Sequence, residues 1–247
     1  MLVIPAAGTG SRLGADLPKL LVPVNAKPMI EHLLTLYAGA ADRVVVVVSP
    51  AARTQVQAAL ANTRPAVSLV VQARPTGMLD AILVAEEVVK AAAPRRVLIT
   101  WCDQVAILPG TIADVVEAAR SAPEPAVVMP TCRRDHPYVH LVRDPGGRIV
   151  RVLHRREGDD MPAAGESDAG VFDLSLDAYL TLLPQYAASP DVGARTGERN
   201  FVPFVARVAA IDRVVTIPCR EAEEAVGINT PEELAMLEAH LRTRSLA

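Results

Sequence analysis

The chain has 247 residues, of which 51% are hydrophobic, and a formal net charge of −3. This composition excludes an intrinsically disordered protein, and the small charge gives no reason to expect a nucleic-acid partner. The apolar run Val44–Val48 is far shorter than the roughly 20 residues that span a bilayer, so no membrane partner is expected. The N-terminus lacks a secretory signal pattern, and the three cysteines have no metal-ligand spacing, so we expect a cytoplasmic protein.

Through the first 130 residues, short runs of β-branched residues alternate with longer amphipathic segments. The predicted strands are 2–5, 44–49, 68–72, 97–100 and 126–129. The predicted helices between them are 29–38, 52–62, 78–92 and 111–120. Continuous Val and Ile runs are typical of strands that are buried on both faces. This half is therefore predicted to be a doubly wound, mainly parallel α/β layer.

The second half has a different pattern. Residues 139–143 and 149–153 flank an Asp-Pro-Gly-Gly turn, which predicts a β-hairpin. The polar segments 155–168 and 193–200 are predicted to be loops, and a late strand is predicted at 214–218. The final helix is predicted to begin after a capping box at Thr230-Pro231-Glu232-Glu233. We interpret 131–247 as a substrate region on the same sheet, which makes 1–247 one domain with a nucleotide-binding half at 1–130.

A glycine-rich segment, PAAGTGSRLG, follows the first predicted strand and leads to Pro18-Lys19. Small residues allow backbone N–H groups to approach phosphate oxygens, and Arg12 and Lys19 add positive charge. No Gly-Lys-Ser/Thr follows, so the segment is not a Walker A loop, and its glycine spacing differs from the dinucleotide fingerprint of nicotinamide dehydrogenases. A tight strand-to-helix turn with incidental basic residues is the alternative interpretation.

The longer segment PAAGTGSRLGADLPKLLVPV resembles the signature of the sugar-1-phosphate nucleotidyltransferases. It is most similar to the uridylyltransferase half of the bifunctional N-acetylglucosamine-1-phosphate uridylyltransferases, and these 247 residues include no counterpart of their acyltransferase half. The resemblance implies a glycosyltransferase-A-like (Rossmann-like) fold, a mixed, mainly parallel sheet flanked by helices with a small β-hairpin and loop substrate region. It also implies that Arg12 meets the triphosphate and that Lys19 reaches the reacting phosphates. The residues implied to wrap the nucleotide are Ala6, Ala7, Gly8 and Gly10.

Gln72 ends a predicted strand, and Gly77 precedes the next predicted helix. A glutamine can pair with the edge of a base through both its donor and its acceptor. Spacing alone fits equally well a surface glutamine and a helix-start glycine. The resemblance implies that Gln72 and Gly77 read uracil or thymine, although Met78 and Leu79 replace the small polar residues of the family pattern.

Asp103 follows the predicted strand 97–100, at the crevice where α/β sheets bind their ligands. By sequence alone it could also cap a turn before Pro109. The resemblance implies that Asp103 is a ligand of Mg²⁺, and that Asn229 in the motif Glu-Ala-Val-Gly-Ile-Asn is the second protein ligand. Both side chains offer the hard oxygen atoms that Mg²⁺ prefers, and Thr230 is available to cap the final helix instead.

The positions implied to bind the acceptor depart from the family pattern. A Gly-Tyr-Gly-Arg segment is replaced by Pro-Tyr-Val-His, and a Glu-x-Asn-x-Gly segment by Glu-Ser-Asp-Ala-Gly. The predicted acceptor-binding residues are Val139, His154, Glu166, Asp168 and Gly170. Because a carboxylate replaces an amide at Asp168, we expect a phosphorylated sugar or sugar-like alcohol other than N-acetylglucosamine 1-phosphate.

Three functions remain open at this point. The preferred one is a Mg²⁺-dependent nucleotidylyltransferase that joins UTP or dTTP to a sugar 1-phosphate. The second is a cytidylyltransferase acting on a polyol phosphate, phosphocholine or phosphonate, because the opening Ile-Pro-Ala-Ala-Gly resembles the methylerythritol-phosphate cytidylyltransferases. Their His-Asp-Ala-Ala-Arg segment has no counterpart here. The third is a non-catalytic nucleotide-binding regulator, which the presence of Lys19, Asp103 and Asn229 disfavours. The oligomeric state and the identity of the acceptor stay open.

Overall fold

A computed structural model of the protein describes residues 1–8, 10, 13–14, 16–63 and 66–245. The strands in these ranges are β1 (Leu2–Ala6), β2 (Pro23–Val24), β3 (Lys27–Pro28), β4 (Val44–Val48), β5 (Val67–Val71), β6 (Arg96–Thr100), β7 (Val127–Asp135), β8 (Val139–Arg143), β9 (Ile149–His154), β10 (Ala164–Asp168), β11 (Val171–Ser175) and β12 (Val214–Pro218). The α-helices are α1 (Met29–Leu36), α2 (Arg53–Leu60), α3 (Met78–Leu83), α4 (Glu86–Ala92), α5 (Pro109–Ala118), α6 (Leu183–Ala187), α7 (Pro203–Ala209) and α8 (Pro231–Ser245). Short 3₁₀ turns lie at Lys19–Leu21, Arg155–Glu157 and Ala222–Ala225, and a π-helical turn lies at Ala178–Leu182.

The described residues form one central eight-stranded sheet in the order β10-β7-β11-β6-β1-β4-β5, with β12 paired to β7. Strands β1, β4, β5 and β6 are parallel to one another, and β12 is parallel to β7. Among the described strands of this sheet, β10 and β11 run opposite to the other six. The predicted mixed, mainly parallel sheet flanked by helices is therefore confirmed.

Each face of the sheet carries its own hydrophobic core, because successive side chains of a strand point to opposite faces. β4 shows this most simply, since its five valines are all buried. Val44, Val46 and Val48 pack with residues of α1, α2, α5 and α8 on one face. Val45 and Val47 pack on the other face with residues of α3, α4, α6, α7 and the β8–β9 hairpin.

Three predictions for local structure need correction. The predicted helix 78–92 is two helices, because the Ala85 N–H bonds to Ile82 O, three residues back, and ends the regular α3 pattern. The predicted loop 155–168 contains β10, which pairs with an unpredicted extension of β7 as far as Asp135. The end of β7 is partly exposed and β10, although mostly buried, has the polar sequence AGESD, so both lack the apolar run of a buried strand. The predicted hairpin forms, but as a separate two-stranded sheet packed beside β10.

Other predicted elements form where expected. The late strand is β12, and Thr230 and Glu233 make the predicted capping box, with Glu233 N 3.2 Å from Thr230 Oγ1 and Thr230 N 3.0 Å from Glu233 Oε2. Within the described ranges, no helix combines the length and the apolar character that crossing a bilayer requires.

Candidate active site

Lys19, Asp103 and Asn229 meet in space although they are far apart in the sequence. Lys19 begins a 3₁₀ turn, Asp103 follows the buried strand β6, and Asn229 lies just before α8. The Lys19 ammonium is ion-paired with Asp103 Oδ2 and donates a hydrogen bond to Asn229 Oδ1 at 2.9 Å. The carboxylate is nearly buried, with 11% of its side chain exposed. The cluster therefore lies beyond the carboxyl end of β6, where parallel sheets place their ligands.

The segment that carries Asn229 is fixed against the Asp103 loop. The Ile228 N–H donates to Asp103 O at 3.3 Å, and the Asn229 side-chain amide donates to Gly227 O at 3.1 Å. Gly227 packs so closely on Asp103 that a Cβ would lie 3.1 Å from Asp103 Oδ2. A side chain at this position would require the Asp103 carboxylate to shift by a few tenths of an ångström.

Glu224 holds the turn that leads into this segment, a role that the sequence reasoning missed. Its carboxylate is completely buried and accepts backbone hydrogen bonds from Leu108 at 3.0 Å, Arg220 at 2.7 Å and Glu221 at 3.0 Å. Glu221 and Glu224 form a capping box around the Ala222–Ala225 turn. The available signal was the Glu-x-x-Glu spacing of such a box, and its glutamate at the first position made it easy to overlook.

The glycine-rich segment is described only in part. Ala6 is buried at the end of β1, Ala7 is half-buried and Gly8 is exposed. Gly10 packs closely against Lys19: a Cβ at Gly10 would lie only 3.1 Å from the Lys19 Cβ. Arg12, which we expect to meet the triphosphate, lies outside the described residues. The segment thus connects β1 to the Lys19 cluster, and its role in nucleotide binding stays a prediction.

Gln72 and Gly77 are brought together as a unit. Gln72 is 5% exposed, and its side-chain amide donates to Gly77 O at 3.1 Å. Gly77 has a φ of +126°, which side chains rarely adopt, and a Cβ there would lie 2.5 Å from Arg199 N and O. Arg199 N donates to Thr76 O at 2.9 Å and Leu79 N donates to Arg199 O at 3.2 Å. Only a glycine allows the 193–200 segment to approach this closely.

The Arg199 side chain is a second feature that sequence reasoning missed. Its guanidinium is ion-paired with Asp80 in α3 and donates to Ala187 O. The neighbouring Glu198 is ion-paired with Arg156 on the opposite side of the segment. An arginine in a polar stretch carries no sequence signal for a partner 119 residues away.

Asp168 and Gly170, two of the predicted acceptor-binding residues, form a turn that contacts the Asp103 loop. The Gly170 N–H donates to Asp168 Oδ1 at 2.8 Å, and Trp101 N donates to Gly170 O at 3.1 Å. Gly170 has a φ of +70°, and a Cβ would lie 2.6 Å from Trp101 Cδ1. Burial raises the pKa of the Asp168 carboxyl, although the Gly170 N–H and the Arg134 charge oppose this effect.

The other three predicted acceptor-binding residues lie on the hairpin side. Glu166 makes a bidentate ion pair with Arg143, with two N–O distances of 2.6 Å. Burial alone would raise the pKa of Glu166, but the hydrogen bonds from Arg143 and Thr131 hold it below its usual range. Val139 and His154 are paired across β8 and β9, and burial lowers the pKa of His154. The structure thus separates the five residues into a turn at Asp168 and a hairpin group.

The donor atoms of the central cluster fit a hard divalent cation. Asp103 Oδ2 and Asn229 Oδ1 both contact the same positive group, the Lys19 ammonium, so they surround one position that favours positive charge. A carboxylate and an amide oxygen are the ligand types that Mg²⁺ takes from proteins.

Comparisons with known proteins show which family the chain is similar to. The sequence pattern that defines the MobA-like NTP transferase domain matches residues 2–167. The chain is 33% identical over 245 residues to the bifunctional protein GlmU of Rhodospirillum rubrum, covering 98% of this chain and 53% of that protein. It is 30% identical over 256 residues to the bifunctional protein GlmU of Nitratidesulfovibrio vulgaris, covering 98% of this chain and 52% of that protein. The chain is also 27% identical over 248 residues to the protein of the same name from Desulfotalea psychrophila. That alignment covers 98% of this chain and 70% of the Desulfotalea protein.

The chain spans about half the length of the first two relatives. These similarities confirm the resemblance to nucleotidyltransferases that the glycine-rich segment predicted.

Proposed function

Because the chain belongs to the MobA-like NTP transferase domain family and is thus a nucleotidyltransferase, we propose that it joins UTP or dTTP to a sugar 1-phosphate or a similar phosphorylated acceptor. The products would be a nucleoside-diphosphate sugar and pyrophosphate. The observation that carries this proposal is the convergence of Lys19, Asp103 and Asn229 beyond the carboxyl end of β6. We assign the nucleotide to residues 1–130 and the acceptor to residues 131–247 of a single domain.

In the proposed reaction, an oxygen of the acceptor phosphate attacks the α-phosphorus of the triphosphate in line. The bond between the α-phosphorus and the oxygen that bridges to the β-phosphate breaks, and pyrophosphate leaves. No covalent intermediate with the protein is needed. The Lys19 ammonium neutralises charge on the transferring phosphoryl group, a contribution that electrostatic preorganisation makes large.

Asp103 and Asn229 would hold Mg²⁺ in the proposed enzyme. When bound, the ion would supply further charge neutralisation to the phosphate oxygens. The fixed contacts of Gly227 and Ile228 with Asp103 support this role, because they hold the two ligand-bearing segments together.

The orientation of the Gln72 amide supports a uracil or thymine base. Its Nε2 donates to Gly77 O, so the acceptor Oε1 is the group that remains to be offered to a base edge. The N3–H of uracil or thymine can donate to such an acceptor, whereas cytosine carries no hydrogen at N3 and could donate only through its N4 amino group.

The test is pyrophosphate release with UTP, dTTP, CTP, ATP and GTP, each supplied singly with Mg²⁺ and a pool of sugar 1-phosphates. We expect release with UTP or dTTP, and a loss of roughly a hundredfold or more in Asp103→Asn. Asp114→Asn is the matched control, because Asp114 is paired with Arg220 on the surface and should leave the rate unchanged.

Two outcomes would contradict the proposal. Release with CTP alone would make the base assignment at Gln72 wrong and favour the cytidylyltransferase alternative. No release with any triphosphate, together with no triphosphate binding by calorimetry, would refute the assignment of the whole nucleotide site.

A further inference from the structure

Two of the three cysteines stand opposite each other on neighbouring parallel strands. In the pairing of β7 with β12, Thr131 is opposite Pro218. The next residue along each strand is a cysteine, Cys132 on β7 and Cys219 just beyond β12. The Cys219 N–H donates to Thr131 O at 2.8 Å and so continues the ladder of hydrogen bonds past the end of β12. Cys132 and Cys219 are therefore in register.

Their side chains point to the same face of the sheet and line the same cavity. Both pack against the same hydrophobic core, with Val215 and Ile217. The two thiols are close enough for each to shift the pKa of the other. Neighbouring strands lie about 4.8 Å apart, which is within the range of about 4.4–6.8 Å between the Cα atoms of a disulfide. The register of the two strands is thus compatible with a disulfide between the two cysteines.

Reagents in solution can reach the pair. Cys132 and Cys219 are half-buried and line an open surface cavity of about 410 Å³ together with Arg133, Glu166 and Arg220. The hydrogen bond from Cys219 and the nearby Arg134 charge lower the pKa of Cys132, despite partial burial, which favours the reactive thiolate. Cys102 differs, because it is buried.

We propose that Cys132 and Cys219 are a modification site, a dithiol that small disulfide oxidants such as glutathione disulfide convert reversibly into an intramolecular disulfide. The Cys132 thiolate attacks one sulfur of the oxidant, whose S–S bond breaks, and one glutathione leaves as a thiolate. The Cys219 sulfur, after losing its proton, then attacks the Cys132 sulfur of the mixed disulfide and releases the second glutathione. The protein loses two electrons and two protons, and the oxidant gains them as two thiols.

The site adjoins the proposed active site and shares the lining of its cavity with Glu166, one of the predicted acceptor-binding residues, but neither cysteine has a role in the proposed transfer. Thr131, the neighbour of Cys132, is paired with Asp168, and Arg134 donates to Ala225 O at 2.6 Å. Cys219 lies five residues before Glu224, which leads into the Asn229 segment. The disulfide would tie the strand that supports the Asp168 turn to the start of the segment that carries Asn229.

Trypsin separates the three cysteines, which makes the test direct. Cleavage after arginine places Cys102 in peptide 97–120, Cys132 in peptide 121–133 and Cys219 in peptide 214–220. The reduced full chain is incubated with glutathione disulfide, free thiols are blocked, and the peptides are identified by mass spectrometry before and after dithiothreitol. We expect the cross-linked peptide that joins Cys132 to Cys219, and its reversal by dithiothreitol.

Two variants and one unfolded control complete the experiment. Cys219→Ser should stop at a glutathione adduct on Cys132, and Cys102→Ser should form the same cross-link as the parent chain; circular dichroism checks that both are folded. The chain unfolded in urea should give all three pairings. The proposal is overturned if the native chain gives only glutathione adducts, pairs Cys102, or favours the Cys132–Cys219 pair no more than the unfolded chain does. Because the readout is covalent, its failure leaves the proposed transferase activity untouched.

Discussion

At the scale of single residues, the Lys19 ammonium satisfies two oxygen atoms that the fold has nearly buried. Only 13% of the Lys19 side chain and 11% of the Asp103 side chain are exposed. A nearly buried carboxylate that loses its cation is left uncompensated, which is strongly unfavourable. Because the oxygen atoms of Asp103 and Asn229 need a positive partner, they are also suitable ligands of a metal ion. The Lys19 ammonium and Mg²⁺ should therefore compete for them.

Lys19→Gln should therefore destabilise the metal-free protein, and Mg²⁺ should restore much of the loss. We expect the free energy of unfolding to fall by about 3 kcal/mol without metal, in the range for a broken buried ion pair. Urea unfolding with and without Mg²⁺ measures both effects. Lys27→Gln is the control, because Lys27 makes only an exposed hydrogen bond to Thr35. A variant as stable as the parent, or one that Mg²⁺ does not stabilise, would contradict the interpretation of this cluster.

Gly170→Ala should be more costly than the same change at Gly147. Both glycines have positive φ, +70° and +83°, which costs an alanine about 1–2 kcal/mol. At Gly170 the new Cβ would also collide with Trp101 and Gln104, whereas at Gly147 it meets no atom of the described residues within 4 Å. Overpacking adds about 1–3 kcal/mol. Equal losses in urea unfolding would show that the turn relaxes without contacting Trp101.

Residue identity predicted some of these positions and not others. Lys19, Asp103 and Asn229 could be selected because the motifs that contain them resemble those of the sugar-1-phosphate nucleotidyltransferases. Arg143 and Arg199 could not, because an arginine carries no local signal for the carboxylate that it will meet. Both pair with acidic residues brought close only by the tertiary fold, Glu166 and Asp80.

At the scale of elements, the 193–200 segment joins the two halves of the proposed site. Arg199 fixes one end to Thr76, Leu79 and Asp80. At its other end the segment binds the Arg155–Glu157 turn, where the Thr196 hydroxyl donates to Glu157 Oε1 at 2.7 Å. The polar residues that predicted a loop at 193–200 thus form the hydrogen bonds and ion pairs that hold this loop in place.

A double-mutant cycle should give the Asp80–Arg199 pair a coupling energy of about 1–2 kcal/mol. The pair is mostly buried, with 16% of the Asp80 side chain and 31% of the Arg199 side chain exposed, so water weakens it less than a surface pair. Asp80→Asn, Arg199→Gln and the double variant are compared by urea unfolding. The Arg156–Glu198 pair is the control, because 43% and 33% of its side chains are exposed, and its coupling should stay below about 1 kcal/mol. Equal couplings would mean that Arg199 acts through its backbone alone.

Asp173 on β11 should make stability depend on pH. Burial raises its pKa from 3.8 to about 6, although Arg96 and the N-terminal ammonium oppose the shift. The folded protein then binds a proton that the unfolded chain has already lost, so the contribution of Asp173 to stability falls as pH rises from about 4 to about 6. At about 1.4 kcal/mol per pKa unit, the change is on the order of 3 kcal/mol.

Asp173→Asn removes this titration. The difference in unfolding free energy between the parent and the variant should therefore change by about 3 kcal/mol between about pH 4 and about pH 6. Above and below the interval the difference should be constant. A constant difference throughout would mean that Arg96 keeps the carboxyl ionised in both states.

At the scale of the whole molecule, the structure of the first half of the chain was easier to predict from the sequence than that of the second half. The first half was predictable because its parallel strands are buried on both faces and appear as continuous apolar runs. The second half was harder, because β10 and the end of β7 are rich in polar residues and their sequences resemble a loop. The hairpin turn was evident, but its departure from the main sheet depends on packing against β10 and α7, which no local pattern encodes.

The most direct test of the central claim follows the phosphorus atoms themselves. UTP labelled at the α-phosphorus and UTP labelled at the γ-phosphorus are incubated separately with the chain, Mg²⁺ and the acceptor pool. We expect the α-label to enter a product that resists phosphatase and the γ-label to leave as pyrophosphate. An α-label recovered as UMP or UDP without transfer, or bound to the protein, would contradict direct nucleotidyl transfer to the acceptor.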